Sequence, residues 1–262
     1  MATCSDDFKV KIWNPNTNWT LTRTYTNHTN MVYGIEWINA DTIASCSEEI
    51  QIWSISTGVT KKTIKNGKLN YALQLLSDGN LAVGIRNAIN IYDISTGSLI
   101  KGLSVGETAF SNDLALLSST LLASSFDDNT IRIWDLTTNT QKLQIKETTI
   151  SYGLKLIASN ILASGNYDGT ISLWNKETGA LIRNLKSSKS IGEIYYAVDS
   201  FANNQGLVSC NYGTLNKKLV GNKDGFINFW DWTTGQLLYT VNASENIYSL
   251  ATIQSINVLS KS

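Results

Sequence analysis

Apolar and polar residues alternate along this chain in short bursts that end on an aromatic: KVKIW (9–13), TIRIW (130–134), TISLW (170–174) and FINFW (226–230). Period-two alternation over so few residues predicts half-buried β-strands. Shorter runs of small and apolar residues precede them, namely TIASCS, LLASSF, ILASGN and KLVGN, and before those lie IEWI, LQLL, LALL and LKLI. After each aromatic a further strand is expected in LTRTYT, VTKKTIK, SLIKGL, QKLQIK, ALIRNL or QLLYTV. Four short strands therefore make one unit, with no helical period anywhere.

The unit repeats. The aromatics Trp13, Trp53, Tyr92, Trp134, Trp174 and Trp230 are separated by 40, 39, 42, 40 and 56 residues, a spacing found in ring-like and stacked repeat architectures. Thr follows every one of them by four residues, and the next residue is Gly58, Gly97, Gly179 or Gly235, or else Asn18 or Asn139. Gly and Asn tolerate the left-handed backbone that a short hairpin with a bulge demands. The aromatic is expected to end one strand, and Thr-Gly to close the turn into the next. A thin sheet of four strands cannot bury both faces alone, so copies must stack face to face, and a ring does this with little exposed edge.

These residues resemble the WD-repeat β-propeller family over essentially the whole chain. The family's Trp-Asp pair stands at Trp134-Asp135 and Trp230-Asp231, with Tyr92-Asp93 close to it, while the pairs beginning at Trp13, Trp53 and Trp174 are degenerate. Asp7, Asp128, Asp168 and Asp224 each precede their Trp by six residues, where the family places a turn Asp. Thr3, Ser45, Ser124 and Ser164 match its second-strand hydroxyl, and His28, the single histidine, matches its structural His. The resemblance implies an all-β fold of four-stranded antiparallel blades. Six aromatics imply a six-bladed propeller; the alternative is part of a seven-bladed one, because MATCS and INVLSKS both look like second strands. NIYSLATI (246–253) could supply the innermost strand that the first blade lacks. Residues 1–262 are expected to form a single domain with an insertion near 200–218, placed between first and second strands because the last step exceeds the period by 16 residues.

Composition narrows the function. Lys plus Arg and Asp plus Glu number 21 each, and only 16% of residues are charged, which argues against electrostatic capture of nucleic acid or an anionic membrane. No apolar run has the length of a spanning helix, and the first residues lack a signal-peptide pattern, so a cytoplasmic protein is expected. Cys4, Cys46 and Cys210 contain no CxxC pair and read as reduced packing residues. With one His and no HExxH, GxSxG or phosphate-binding glycine loop, the chain offers no catalytic, metal or cofactor site. A non-enzyme is expected.

A second repeat points to binding. VYGI, NYAL, FSND-LAL, SYGL, YYAV and IYSL place Tyr33, Tyr71, Phe110, Tyr152, Tyr196 and Tyr248 at corresponding points, with two extra residues after Phe110. The resemblance puts them at the start of the channel-lining strands, around a mouth where partners dock. Tyr offers a broad apolar face and a polar tip at small entropic cost. Asp6, Asp127, Tyr167 and Lys223, each just before the turn Asp, would share that rim. A protein or peptide with an apolar anchor and flanking basic residues is the expected partner, in a scaffold that belongs to a larger chain or complex. A carbohydrate-binding, lectin-like propeller is the rival reading, since aromatics with Asn and Asp also suit sugar stacking.

Overall fold

In a computed structural model the chain is described over residues 1–14, 17, 20–105, 109–186, 194–201, 206–212 and 225–243. Its strands form six sheets. The first is three-stranded: β1 (Ala2–Cys4), β2 (Val10–Asn14) and β3 (Thr20–Tyr25). The second comprises β4 (Gly34–Asn39), β5 (Thr42–Cys46), β6 (Ile50–Ser54) and β7 (Thr60–Ile64); the third, β8 (Asn70–Leu75), β9 (Leu81–Ile85), β10 (Ala88–Tyr92) and β11 (Leu99–Ser104). The fourth holds β12 (Ser111–Leu116), β13 (Leu121–Phe126), β14 (Thr130–Asp135) and β15 (Thr140–Lys146). β16 (Ser151–Ala158), β17 (Ile161–Asn166), β18 (Thr170–Asn175) and β19 (Leu181–Lys186) make the fifth. The sixth is β20 (Ile194–Phe201), β21 (Gly206–Tyr212), β22 (Gly225–Asp231) and β23 (Gln236–Ala243).

Every sheet is an antiparallel meander, and the innermost strands stand beside one another in chain order, β4 by β8, then β12, β16 and β20. The fold is an all-β propeller. Among the described residues five blades are complete with four strands and the first sheet has three. That differs from a plain count of six equal blades: the first aromatic has only one strand before it. The stretch NIYSLATI, expected to supply a further strand, lies outside the described residues, as does INVLSKS.

The second strand of the sixth blade also differs from expectation. It is β21, within the stretch read as an insertion, and its Leu207 pairs with Trp230. KLVGN lies outside the described residues. GLVSC has the same small-and-apolar character as TIASC, so either segment satisfies the local pattern, and pairing with β22 selects one of them. The stretch 213–224 that follows β21 lies outside the described residues.

The expected turn chemistry is present. Gly58, Gly97, Asn139, Gly179 and Gly235 have φ of 74°, 78°, 59°, 72° and 84°, in the left-handed region. The register between third and fourth strands slips at each aromatic, from Ile12/Trp13 to Phe229/Trp230. The Asp of the Trp-Asp pair secures this turn. Asp135 Oδ1 accepts from Thr137 N (2.8 Å), Thr137 Oγ1 (2.5 Å) and Thr138 N (3.2 Å), and Asp93 and Asp231 repeat the pattern. These bonds hold the carboxyls of Asp93 and Asp135 below the ordinary value and bring Asp231 down to about 2. Where Ser54 replaces the Asp, Asp41 reaches in from the preceding hairpin and accepts from Ser54 Oγ and Ser56 N, both at 2.8 Å.

The core lies between blades. Trp53 packs on Val10, Ile12 and Ala2 of the first sheet; Tyr92 packs on Ile50 and Ile52, Trp134 on Ile89 and Ile91, Trp174 on Ile131 and Ile133, and Trp230 on Ile171 and Leu173. Each aromatic therefore belongs to one blade's sheet and to the preceding blade's core. Burying such a side chain removes about 150–250 Å² from water, which no isolated blade could achieve. Outer strands add clamps across the seams: Arg23 Nη2 donates to Ser56 O (2.5 Å), Lys101 Nζ to Leu136 O (2.7 Å), Arg183 Nη1 to Thr233 O (2.8 Å), and Lys62 Nζ to Ser95 O. Inner strands are stapled as well, with Gln74 Oε1 accepting from Leu116 N (3.0 Å) and Asp113 Oδ2 from Leu154 N (2.7 Å).

Candidate functional site

The hydroxyl assignments hold. The indole N–H of Trp13, Trp53, Trp134 and Trp174 donates to Thr3, Ser45, Ser124 and Ser164 at 3.0, 3.1, 2.8 and 3.0 Å. Ser209, not identified from sequence, serves Trp230 at 3.0 Å; it lies two positions after Leu207, which pairs with Trp230, as Ser45 lies two positions after Ile43, the partner of Trp53. Tyr92 carries its own hydroxyl, and Val83 occupies the serine's place. His28 Nε2 lies 2.6 Å from Ser45 Oγ. Burial drives its pKa down to about 4, so the ring is neutral at physiological pH.

Glu147 is a residue the sequence reading missed. It stands 17 residues before Ser164, as His28 stands 17 before Ser45. Its Oε1 accepts from Ser164 Oγ (2.6 Å), Ser151 Oγ (3.2 Å) and Trp174 Nε1 (3.2 Å), and burial raises its pKa. The common interval of 17 was the available signal. Asn66, also 17 residues before Val83, donates to Tyr92 Oη at 3.2 Å.

The turn aspartates act locally. Asp7, Asp128 and Asp168 accept from the backbone N–H two residues on, at 3.0, 3.1 and 3.1 Å, and Asp128 also pairs with Arg132 at 2.5 Å. They cap turns and do not touch His28 or a Trp. Asp224 lies outside the described residues, as do Lys223 and Tyr248.

The predicted aromatics sit at or beside a bulge. Between first and second strands the register skips Tyr71, Asn112, Tyr152 and Tyr196, and an extra residue in a strand re-aims its side chain. Tyr33 occupies the corresponding point before Gly34, where its N–H donates to Cys46 O at 3.0 Å. In the fourth blade the bulge residue is Asn112, and Phe110 lies two positions upstream, which corrects the equivalence read from sequence. Phe110 still joins the cluster. Its ring centroid is 5.3 Å from Tyr71 in a T-shaped contact, and Tyr71 is 5.3 Å from Tyr33. Arg86 lies over the Phe110 ring at 5.2 Å, and Met31 Sδ accepts from Tyr33 Oη at 3.6 Å. Tyr152 instead meets Tyr167, 6.4 Å away. The structure thus gathers an arc of three rings and a separate pair, with Tyr196 placed on β20.

Asp127 sits at the break between them. Its Oδ1 accepts from Phe110 N at 2.8 Å, and its own N–H donates to Phe110 O at 3.2 Å. Burial raises the phenols of Tyr71 and Tyr152, and the negative charge of Asp127 adds to both shifts. Asp6 is exposed on its turn.

The family model of the WD domain, G-beta repeat, matches residues 102–135 and 157–175, two stretches that cover the fourth and fifth blades' aromatics. Two of the chain's repeats thus match the WD-repeat model, and they sit in a propeller fold. The chain is 37% identical to nuclear distribution protein nudF 1 of Talaromyces marneffei over 68 residues, 25% of the chain and 15% of the relative. Against Protein SPA1-RELATED 3 of Arabidopsis thaliana it is 27% identical over 144 residues, 52% of the chain and 17% of the relative. Periodic tryptophan protein 2 of Arabidopsis thaliana aligns over 258 residues at 28% identity, 94% of the chain and 22% of the relative. The match therefore spans less than a quarter of each of these relatives' own length.

Proposed function

We propose that this propeller is a non-catalytic platform that holds a protein or peptide partner at the arc of Tyr33, Tyr71 and Phe110. WD-repeat proteins as a family serve in protein–protein interaction, and the arc supplies what such capture needs. The observation that carries the reading is the unbroken contact from Met31 through Tyr33 and Tyr71 to Phe110, all at least partly exposed, with Met31 at 43%. Rigid aromatics anchored on a bulge present apolar area with little rotamer entropy left to lose. The buried free thiols Cys4 and Cys46 suit the reducing cytoplasm, our proposed location, and the platform is proposed to work within a larger assembly.

The test is affinity capture from the source cell with wild type and a Tyr33→Ala, Tyr71→Ala, Phe110→Ala variant, read by mass spectrometry. Loss of partners by a variant with unchanged thermal melting supports the reading. Unchanged capture overturns it.

A further inference from the structure

The aromatic arc is interrupted between the fourth and fifth blades, and the interruption is polar and negatively charged. The bulge position that holds Tyr71 and Tyr152 in the neighbouring blades is Asn112, whose Nδ2 is turned to Ser151 O at 3.1 Å. Phe110 leans to the other side, onto Tyr71, with Arg86 across its face. Beside Phe110 lies Asp127, in the position that the fifth blade gives to Tyr167, the ring that contacts Tyr152. Two backbone bonds with Phe110 fix Asp127, and no cation among the described residues pairs with it. Phe110 therefore carries a guanidinium over its ring and a half-buried carboxylate on its main chain.

We propose that this break is a subsite for a Lys or Arg side chain of the partner segment whose apolar anchor lies on the Tyr33–Tyr71–Phe110 arc. The inference rests on the proposed function of that arc. Charge complementarity selects the occupant: Asp127 attracts a cation, and the aromatic rings beside it favour one over their faces. Arg86, from the third blade, repels the same group where it covers the Phe110 ring, so the basic residue is expected on the side of the fifth blade. A bound segment would thereby be oriented, with its anchor toward the second and third blades and its basic residue toward the fifth.

A phage-displayed library of random peptides panned on the folded protein provides the probe, and the enriched peptide is then titrated by fluorescence anisotropy. The expected consensus has an apolar or aromatic residue and a Lys or Arg at fixed spacing. Asp127→Asn keeps the acceptor for Phe110 N, so it should fold, and it should weaken that peptide roughly five- to tenfold. The peptide with its basic residue changed to Gln should bind wild type and Asp127→Asn equally. If Tyr33→Ala with Tyr71→Ala abolishes binding while Asp127→Asn leaves both affinity and the basic preference intact, the arc reading stands and the subsite is refuted. If the library yields no peptide that depends on those tyrosines, both fall.

Discussion

The second and fifth blades solve the same packing problem with opposite chemistry. In both, a Trp indole donates to a serine, and that serine meets a polar side chain 17 residues upstream. In the second blade the side chain is the base His28, and Trp53 also stacks face to face on Tyr25 with centroids 4.1 Å apart. In the fifth it is the acid Glu147, which takes hydrogen bonds from Ser164, Ser151 and Trp174. Burial pushes the pKa of His28 down and that of Glu147 up. Desolvation penalises the charged form of either group. The slot therefore selects for a neutral group able to bond the serine, and is indifferent to whether that group is an acid or a base.

The largest effect is expected where the two blades agree. Trp53→Ala or Trp174→Ala removes the side chain shared with the preceding blade's core, and each should cost roughly 3–5 kcal/mol in urea unfolding. A much smaller loss in either would show that the interblade core does not depend on that aromatic.

Next comes the acid limb of the pH profile. A free His titrates near 6.5 and His28 near 4, so between those values the unfolded chain binds more protons and stability falls as pH falls. The contribution present at pH 7 should shrink by roughly 3 kcal/mol by pH 4. His28→Gln should flatten this limb, and an unchanged slope in denaturation midpoints at pH 7, 5.5 and 4 would contradict the assignment.

Glu147 sharpens the contrast because its sign is reversed. With its folded pKa above the ordinary 4.5, its contribution is complete below 4.5 and declines as pH rises through the raised value. Glu147→Gln keeps a neutral acceptor, so at pH 8 it should be more stable than wild type by on the order of 1 kcal/mol, with the gain vanishing at pH 4. A uniform loss at both pH values would mean that the carboxylate itself is required.

The smallest effect belongs to the seams. Arg23→Ala deletes an exposed clamp onto Ser56 O, and a loss of about 0.5 kcal/mol is expected. A loss several times larger would move the stability of the first two blades from their shared core to their rim.

Much of this architecture is legible in the residues themselves. Thr followed by Gly or Asn beyond each aromatic suits a positive-φ turn, and the alternation around Ile131 and Ile133 demands a strand; both are properties of a few consecutive residues. The serine partners Ser45, Ser124 and Ser164 follow once strands are aligned, because hairpin register ties a third-strand Trp to a second-strand hydroxyl. KLVGN and GLVSC show the limit. Both are plausible strands locally, and only the partner strand β22 discriminates between them. The break in the arc was legible only in part: two extra residues after Phe110 marked an irregularity, but a bulge is defined by what lies across the ladder, so only the pairing puts Asn112 at it.

By itself the sequence determined that this protein is a repeated set of thin antiparallel sheets, since period-two patterning, turn residues and a 40-residue spacing are local or additive signals. Tertiary structure decided that an acid, Glu147, fills the slot that the interval of 17 marks, and that Asp127 rather than a ring stands at the break in the arc. The physical reason is that burial and hydrogen bonding are set by residues brought together across strands, such as Ser151, Ser164 and Trp174 around Glu147 and Phe110 beside Asp127, whose proximity no single strand encodes.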